Sequence, residues 1–129
     1  MNTAIILIGS NIAPYHLVAS ALAALKTLDP HLIALPAEQT HSIDHSIDRL
    51  FVNQLVQLKT PLSTTHLKQE LKRLEKELAP PRDHDRIPLD IDLITFNHEM
   101  IKAKELSIPY VSEGLKRLQQ QANSTFKSK

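Results

Sequence analysis

The apolar and polar positions along this chain switch repeatedly between a period of two and a period near 3.6. Residues 4–8 form an unbroken aliphatic run that ends at Gly9-Ser10-Asn11, which predicts a buried first strand closed by a turn. Pro14 suits the first turn of a helix, and Leu17, Ala21, Ala24, Leu25 and Leu28 then recur at helical spacing until Asp29-Pro30. Residues 32–35 read as a short strand, and the polar stretch 40–48 as an exposed loop. Strand character returns over 50–58, with Leu50, Val52, Val56 and Leu58 on one face and Phe51, Asn53 and Leu55 on the other. A second helix has Ser63 as N-cap, Leu62 and Leu67 as a hydrophobic staple, and a stripe of Leu67, Leu71, Leu74 and Leu78. Pro80-Pro81 stops it, and its lysine face (Lys68, Lys72, Lys76) is expected to tolerate change. After the loop 82–86 comes a strand over 89–94, a short strand or helical segment at 106–108, and a helix over 112–121 with a frayed end.

Strand, helix, strand, strand, helix, strand is the ferredoxin-like βαββαβ order. It predicts an α+β fold with an antiparallel sheet and helices packed on one face. A chain of 129 residues has room for one domain, 1–129, and the net charge of +1 gives no support for a nucleic-acid-coating protein. Only Phe51 and Phe96 could offer stacking rings on strands, which also argues against a sheet that binds RNA. There are no cysteines, so disulfides and thiolate chemistry are excluded. The first residues carry no positive region, and their apolar run is too short for a signal-peptide core or a membrane span. A soluble cytoplasmic monomer with no membrane partner is the expectation.

Candidate chemistry concentrates in Leu89-Asp90-Ile91-Asp92-Leu93-Ile94. Strand alternation puts Asp90 and Asp92 on one face and Leu89, Ile91 and Leu93 on the other. Two neighbouring carboxylates on an apolar strand repel each other, and a hard divalent cation relieves that repulsion. Water on an exposed edge would relieve it too. Arg82 and Arg86 suit phosphate oxygens, or could simply pair with Asp83 and Asp85. Glu75, at the end of the leucine stripe, is either a solvated helix residue or a capping and loop-positioning one. His41 and His45, with Asp44 and Asp48, have ligand-like spacing, although polar loops collect such residues by chance.

Several pieces together resemble the 6-hydroxymethyl-7,8-dihydropterin pyrophosphokinase family of folate biosynthesis. These are Ile6-Leu7-Ile8-Gly9-Ser10-Asn11, Phe51-Val52-Asn53 with Val56 and Leu58, Leu74-Glu75, the Asp90/Asp92 run, and Leu106-Ser107-Ile108-Pro109. The resemblance covers about residues 4–110. It implies transfer of pyrophosphate from ATP to the pterin hydroxymethyl oxygen, with AMP as the second product. It also implies that two magnesium ions bridge Asp90, Asp92 and the ATP phosphates. Arg82 and Arg86 would contact phosphate. Thr40, Phe51, Asn53 and Tyr110 would face the dihydropterin, with Phe51 stacking on the ring and the Asn53 amide pairing at its edge.

The chain departs from that family at several places. Ile87 stands where the family has an arginine, with Arg86 one residue early. A one-residue shift in an extended segment reverses the side chain unless a bulge intervenes. The loop tryptophan is missing, Tyr110 replaces a histidine, and a polar tail follows Lys116-Arg117-Leu118. Two readings follow: a compact working pyrophosphokinase, or a degenerate relative that keeps the fold and ligand binding with little turnover.

Overall fold

A computed structural model describes residues 1–12, 16–41, 50–83 and 86–127, without the side chains of His41 and 121–127. The expectations for Pro14 and for Asp44, His45, Asp48 and Asp85 therefore lie outside the described residues. The strands are β1 (Asn2–Ser10), β2 (Ile33–Ala34), β3 (Glu38–His41), β4 (Leu50–Thr60), β5 (Asp90–Phe96) and β6 (Glu99–Met100). The helices are α1 (His16–Leu28), α2 (Thr64–Leu78) and α3 (Pro109–Lys127), with a 3-10 helix at Ala103–Ser107. All strand pairs are antiparallel, in the order β2-β4-β1-β5-β6, and β3 also pairs with β4. The fold is thus α+β. None of its described helices is long and apolar enough to cross a membrane.

The unbroken aliphatic run of β1 reflects burial on both faces. Ala4, Ile6 and Ile8 join Val56, Leu58, Leu89, Ile91 and Leu93 beneath α1 and α2. Ile5 and Leu7 join Leu55 and Ile94 on the opposite face, against Val111 and Leu118 of α3. The expectation of helices on one face is corrected here: α1 and α2 share a face, and α3 packs on the other. Gly114 permits that close approach, because a Cβ there would lie 2.7 Å from Leu55 Cδ2 and 3.1 Å from Leu35 Cδ1.

The leucine helix forms as its sequence predicts, with Ser63 Oγ accepting from the His66 N–H at 3.2 Å. Several boundaries differ, and three of them bear on the site or on the second face. β1 runs on through Gly9 and Ser10, because both residues pair with β4. Thr40 and His41 belong to β3 and not to a loop: Thr40 lies opposite Phe51, so backbone pairing holds a segment whose side chains give no apolar signal. α3 starts at Pro109, with proline in its favoured first position. The β5–β6 hairpin turns through Asn97 (φ 49°) and His98 (φ 70°). Two positive φ values suit the right-handed twist of a hairpin, but Asn-His carries this signal more faintly than Asn-Gly.

Candidate active site

Strand register assembles the site. Glu38, Asn53, Gly9 and Asp90 lie opposite one another across β3, β4, β1 and β5. Directly opposed residues in antiparallel strands point to the same face. Phe51 with Thr40 lies two residues along in one direction, and Leu55, Leu7 and Asp92 in the other. Thr40, Phe51, Asn53, Asp90 and Asp92 therefore share the face that α3 covers further along. Asn53 and Asp90 are two strand spacings apart, about 10 Å. The register shift between β1 and β5, where Ile94 of β5 is the extra residue opposite the Ile5–Ile6 step, comes after Asp92 has been placed, so the acid pair keeps its simple alternation.

On the β4 side, Asn53 is buried and its Nδ2 donates to Thr40 Oγ1. Phe51 is half-buried beside it. Gly9 is the floor between the two halves, and a Cβ there would sit 2.8 Å from Asn53 Oδ1.

On the β5 side, cations surround the carboxylates. Arg82 Nη2 lies 3.0 Å from Asp90 Oδ1, and Lys102 Nζ lies 3.1 Å from Asp92 Oδ1. Lys72 Nζ stands 4.0 Å from Asp90 and 3.9 Å from Asp92. Burial, and then the adjacent Asp90 carboxylate, push Asp92 above the ordinary carboxylate range, against the pull of Lys102. Burial works to lower Lys102, but Asp92 and Asp90 outweigh it and hold the ammonium above its usual value. Glu105, buried on the 3-10 helix, is pushed up by burial and by the Asp92 charge, with Lys102 and Lys104 opposing.

Glu75 is a positioning residue. Its Oε2 accepts from the Ile91 N–H at 2.7 Å and from Lys72 Nζ at 3.1 Å. Ile91 sits between the two aspartates on a part of β5 that β6 does not reach. Glu75 therefore satisfies an edge N–H and pins the strand at the acid pair. Glu75→Ala should lower stability by about 1 kcal/mol in urea titrations. It should also lower turnover several-fold, while Glu75→Gln keeps most of both.

Asn11 holds the approach to β5. Its Oδ1 accepts from the Ile87 N–H at 2.6 Å, and its own N–H donates to the Ile87 carbonyl at 3.1 Å. Ile87 is thus an anchoring backbone position. Arg86 is exposed, with its carbonyl accepting from the Asp83 N–H at 3.0 Å. Among the described residues, the ion pairs of Asp90 and Asp92 are made by Arg82, Lys72 and Lys102, and Arg86 is not brought to them.

Tyr110 is placed in the scaffold. Its hydroxyl donates to the Pro36 carbonyl at 2.8 Å and accepts from the Leu55 N–H at 2.9 Å, and the ring is buried. Burial raises its pKa, partly offset by the Leu55 N–H. The hydroxyl is thereby committed to the scaffold on both its donor and acceptor sides. Lys72, on the lysine face of α2, bonds Glu75 and stands beside both aspartates. Sequence reasoning missed Lys102 and Glu105, which no periodic pattern marks. The Lys72-Glu75 spacing of i,i+3 was the one legible hint of that pair.

Beside Asp92 lies a cleft of about 280 Å³, lined by Lys68, Lys72 and Lys102 and floored by Leu71, Ile91, Leu93 and Ile101. It combines cations for an anionic group with apolar surface for a flat one. No group of three or more acidic, histidine or cysteine side chains able to hold a metal occurs among the described residues. Any metal here would rest on the aspartate pair and on oxygens brought by a ligand.

Residues 5–120 match the family model described as 7,8-dihydro-6-hydroxymethylpterin-pyrophosphokinase. The 2-amino-4-hydroxy-6-hydroxymethyldihydropteridine pyrophosphokinase of Haemophilus influenzae is 30% identical over 115 residues, covering 85% of this chain and 72% of that protein. With the family model spanning nearly its whole length, the chain belongs to the 7,8-dihydro-6-hydroxymethylpterin-pyrophosphokinase family.

Proposed function

We propose that this chain, acting in folate biosynthesis, transfers the pyrophosphoryl group of ATP to 6-hydroxymethyl-7,8-dihydropterin. The hydroxymethyl oxygen attacks the β-phosphorus and gives up its proton to water. The bond from that phosphorus to the α–β bridging oxygen breaks, and AMP leaves with the bridging oxygen. The observation that carries this reading is the in-register row that sets Phe51, Asn53 and Thr40 on one side of Gly9 and the aspartate pair on the other.

The two carboxylates fit magnesium as hard oxygen donors, and the three cations drawn to them show how strongly the pair attracts positive charge. Asp90 and Asp92 would hold the metal, and two ions are expected by resemblance. When bound, magnesium supplies charge neutralisation for the phosphates. The chain's own residues do the rest. Phe51 offers a π-face to the pterin, and the Thr40 hydroxyl fixes the Asn53 amide that reads its edge. Arg82, which donates to Asp90, would meet phosphate oxygens of the nucleotide. The cleft beside Asp92 would receive the nucleotide. Arg86, by resemblance a second phosphate contact, would reach the nucleotide from the exposed loop.

We read the frame as ferredoxin-like, since the order β2-β4-β1-β5 matches that split arrangement. Residues 1–129 would act as one domain and as a cytoplasmic monomer. The degenerate alternative draws on the Tyr110 hydroxyl being committed to the scaffold and on the Lys102–Asp92 pair. A coupled assay for AMP release with ATP, magnesium and the dihydropterin separates the two: turnover supports the enzyme, and tight pterin binding without AMP supports the alternative. Phe51→Ala should weaken pterin binding about tenfold in calorimetric titration and leave ATP binding nearly unchanged. Equal losses for both ligands would make the ring a packing element only.

A further inference from the structure

We propose that Lys102 is a tethered competitor of the divalent cation at Asp92, so that metal binds well only when nucleotide phosphates take over the displaced ammonium. This rests on reading Asp90 and Asp92 as the metal ligands. Lys102 Nζ already lies 3.1 Å from Asp92 Oδ1, on the more buried of the two carboxylates. Magnesium needs direct contact at about 2.0–2.1 Å, and an ammonium hydrogen-bonded to the same oxygen must give way first.

The geometry allows that exchange. The lysine backbone is fixed, because the Ile101 and Lys102 N–H groups both donate to the Ile94 carbonyl, at 2.8 and 3.3 Å. The side chain is 40% exposed, so its stem can swing without disturbing the core. Lys102 also lines the cleft that holds Lys68 and Lys72. Displaced from Asp92, the ammonium still feels Asp90 and Glu105 but shares the cleft with Lys68 and Lys72, so an anionic phosphate arriving there is its strongest new partner. Metal and nucleotide binding are then positively coupled, and by linkage each raises the affinity of the other equally. Lys102 acts through Asp92 and is a positioning residue.

Manganese titrations of the full chain test this by electron paramagnetic resonance. They are run without nucleotide and with an ATP analogue carrying methylene between the α and β phosphorus atoms. Lys102→Met should bind Mn²⁺ about tenfold more tightly than wild type in the absence of nucleotide. The gain in affinity that the analogue brings should shrink correspondingly. Lys102→Arg, which keeps the charge, should stay near wild type. Mn²⁺ affinity in Lys102→Met no higher than in wild type overturns the proposal, and so does equal tightening in Lys102→Arg. Asp92→Asn is the control. If it binds Mn²⁺ like wild type, the metal reading itself falls and takes this one with it. If it loses Mn²⁺ while Lys102→Met gains nothing, this inference alone is removed.

Discussion

Asp92→Asn will abolish AMP release to below about one thousandth of the wild-type rate and leave the fold intact. The substitution keeps the shape of the side chain and removes the charge. Without that charge the strand would keep one carboxylate, too weak a hold for the metal proposed to neutralise developing phosphate charge. The loss should fall on turnover more than on pterin affinity, because Phe51, Asn53 and Thr40 are untouched. Stability should move the other way. Asp92 is 8% exposed and its carboxyl is raised above the ordinary 3.8 by burial and by Asp90. A raised carboxyl means the folded chain holds its proton more tightly than the unfolded chain does. Ionised Asp92 therefore opposes folding at pH 7, and that opposition fades as pH falls through the raised value toward the ordinary one. The asparagine variant should consequently be at least as stable as wild type at pH 7, with the difference shrinking in acid. Urea titrations at pH 7 and pH 4 check the sign. An asparagine variant that still releases AMP at a tenth of the normal rate would remove the aspartate pair from the mechanism.

The acid pair was legible because strand alternation needs only a period of two, and the observed faces follow it: Leu89, Ile91 and Leu93 are buried under the helices. The Phe51/Asn53 face was legible for the same reason. What lay beyond local pattern was everything set by contact between elements. That Thr40 pairs with Phe51 depends on β3 docking on β4, which a polar stretch does not announce. That α3 covers the second face depends on Gly114 and on the two-sided burial of β1. Lys102 reaches Asp92 only because the β5–β6 hairpin and the Ile94 carbonyl bring residues 101–102 back along the strand. The departures at Ile87 and Tyr110 also change meaning in three dimensions. Ile87 offers its backbone to Asn11, and Tyr110 ties Leu55 to Pro36 through its hydroxyl. Both are scaffold roles, and neither could be read from the residue type.

Gly9→Ala will damage both the fold and the half of the site proposed to bind pterin, and the two effects can be pulled apart. The added Cβ would lie 2.8 Å from Asn53 Oδ1 and 3.7 Å from Phe51 Cδ1. Asn53 cannot easily retreat, since it is 4% exposed and its amide is bound to Thr40. The clash must be relieved by moving the amide or by spreading β1 from β4. Overpacking of this kind costs about 1–3 kcal/mol, slightly offset because alanine suits a strand better than glycine. Displacing a substrate-orienting group by about 1 Å costs on the order of a hundredfold in rate, so kcat/KM for the pterin should fall by that much. ATP affinity, proposed to rest on the β5 side, should change little. The double variant Gly9→Ala/Asn53→Ala removes the clashing amide. It should recover most of the lost stability in thermal unfolding and none of the lost kcat/KM. If Gly9→Ala alone works at the wild-type rate, the pterin does not lie over Asn53, and the row across β4, β1 and β5 is scaffold without being a site.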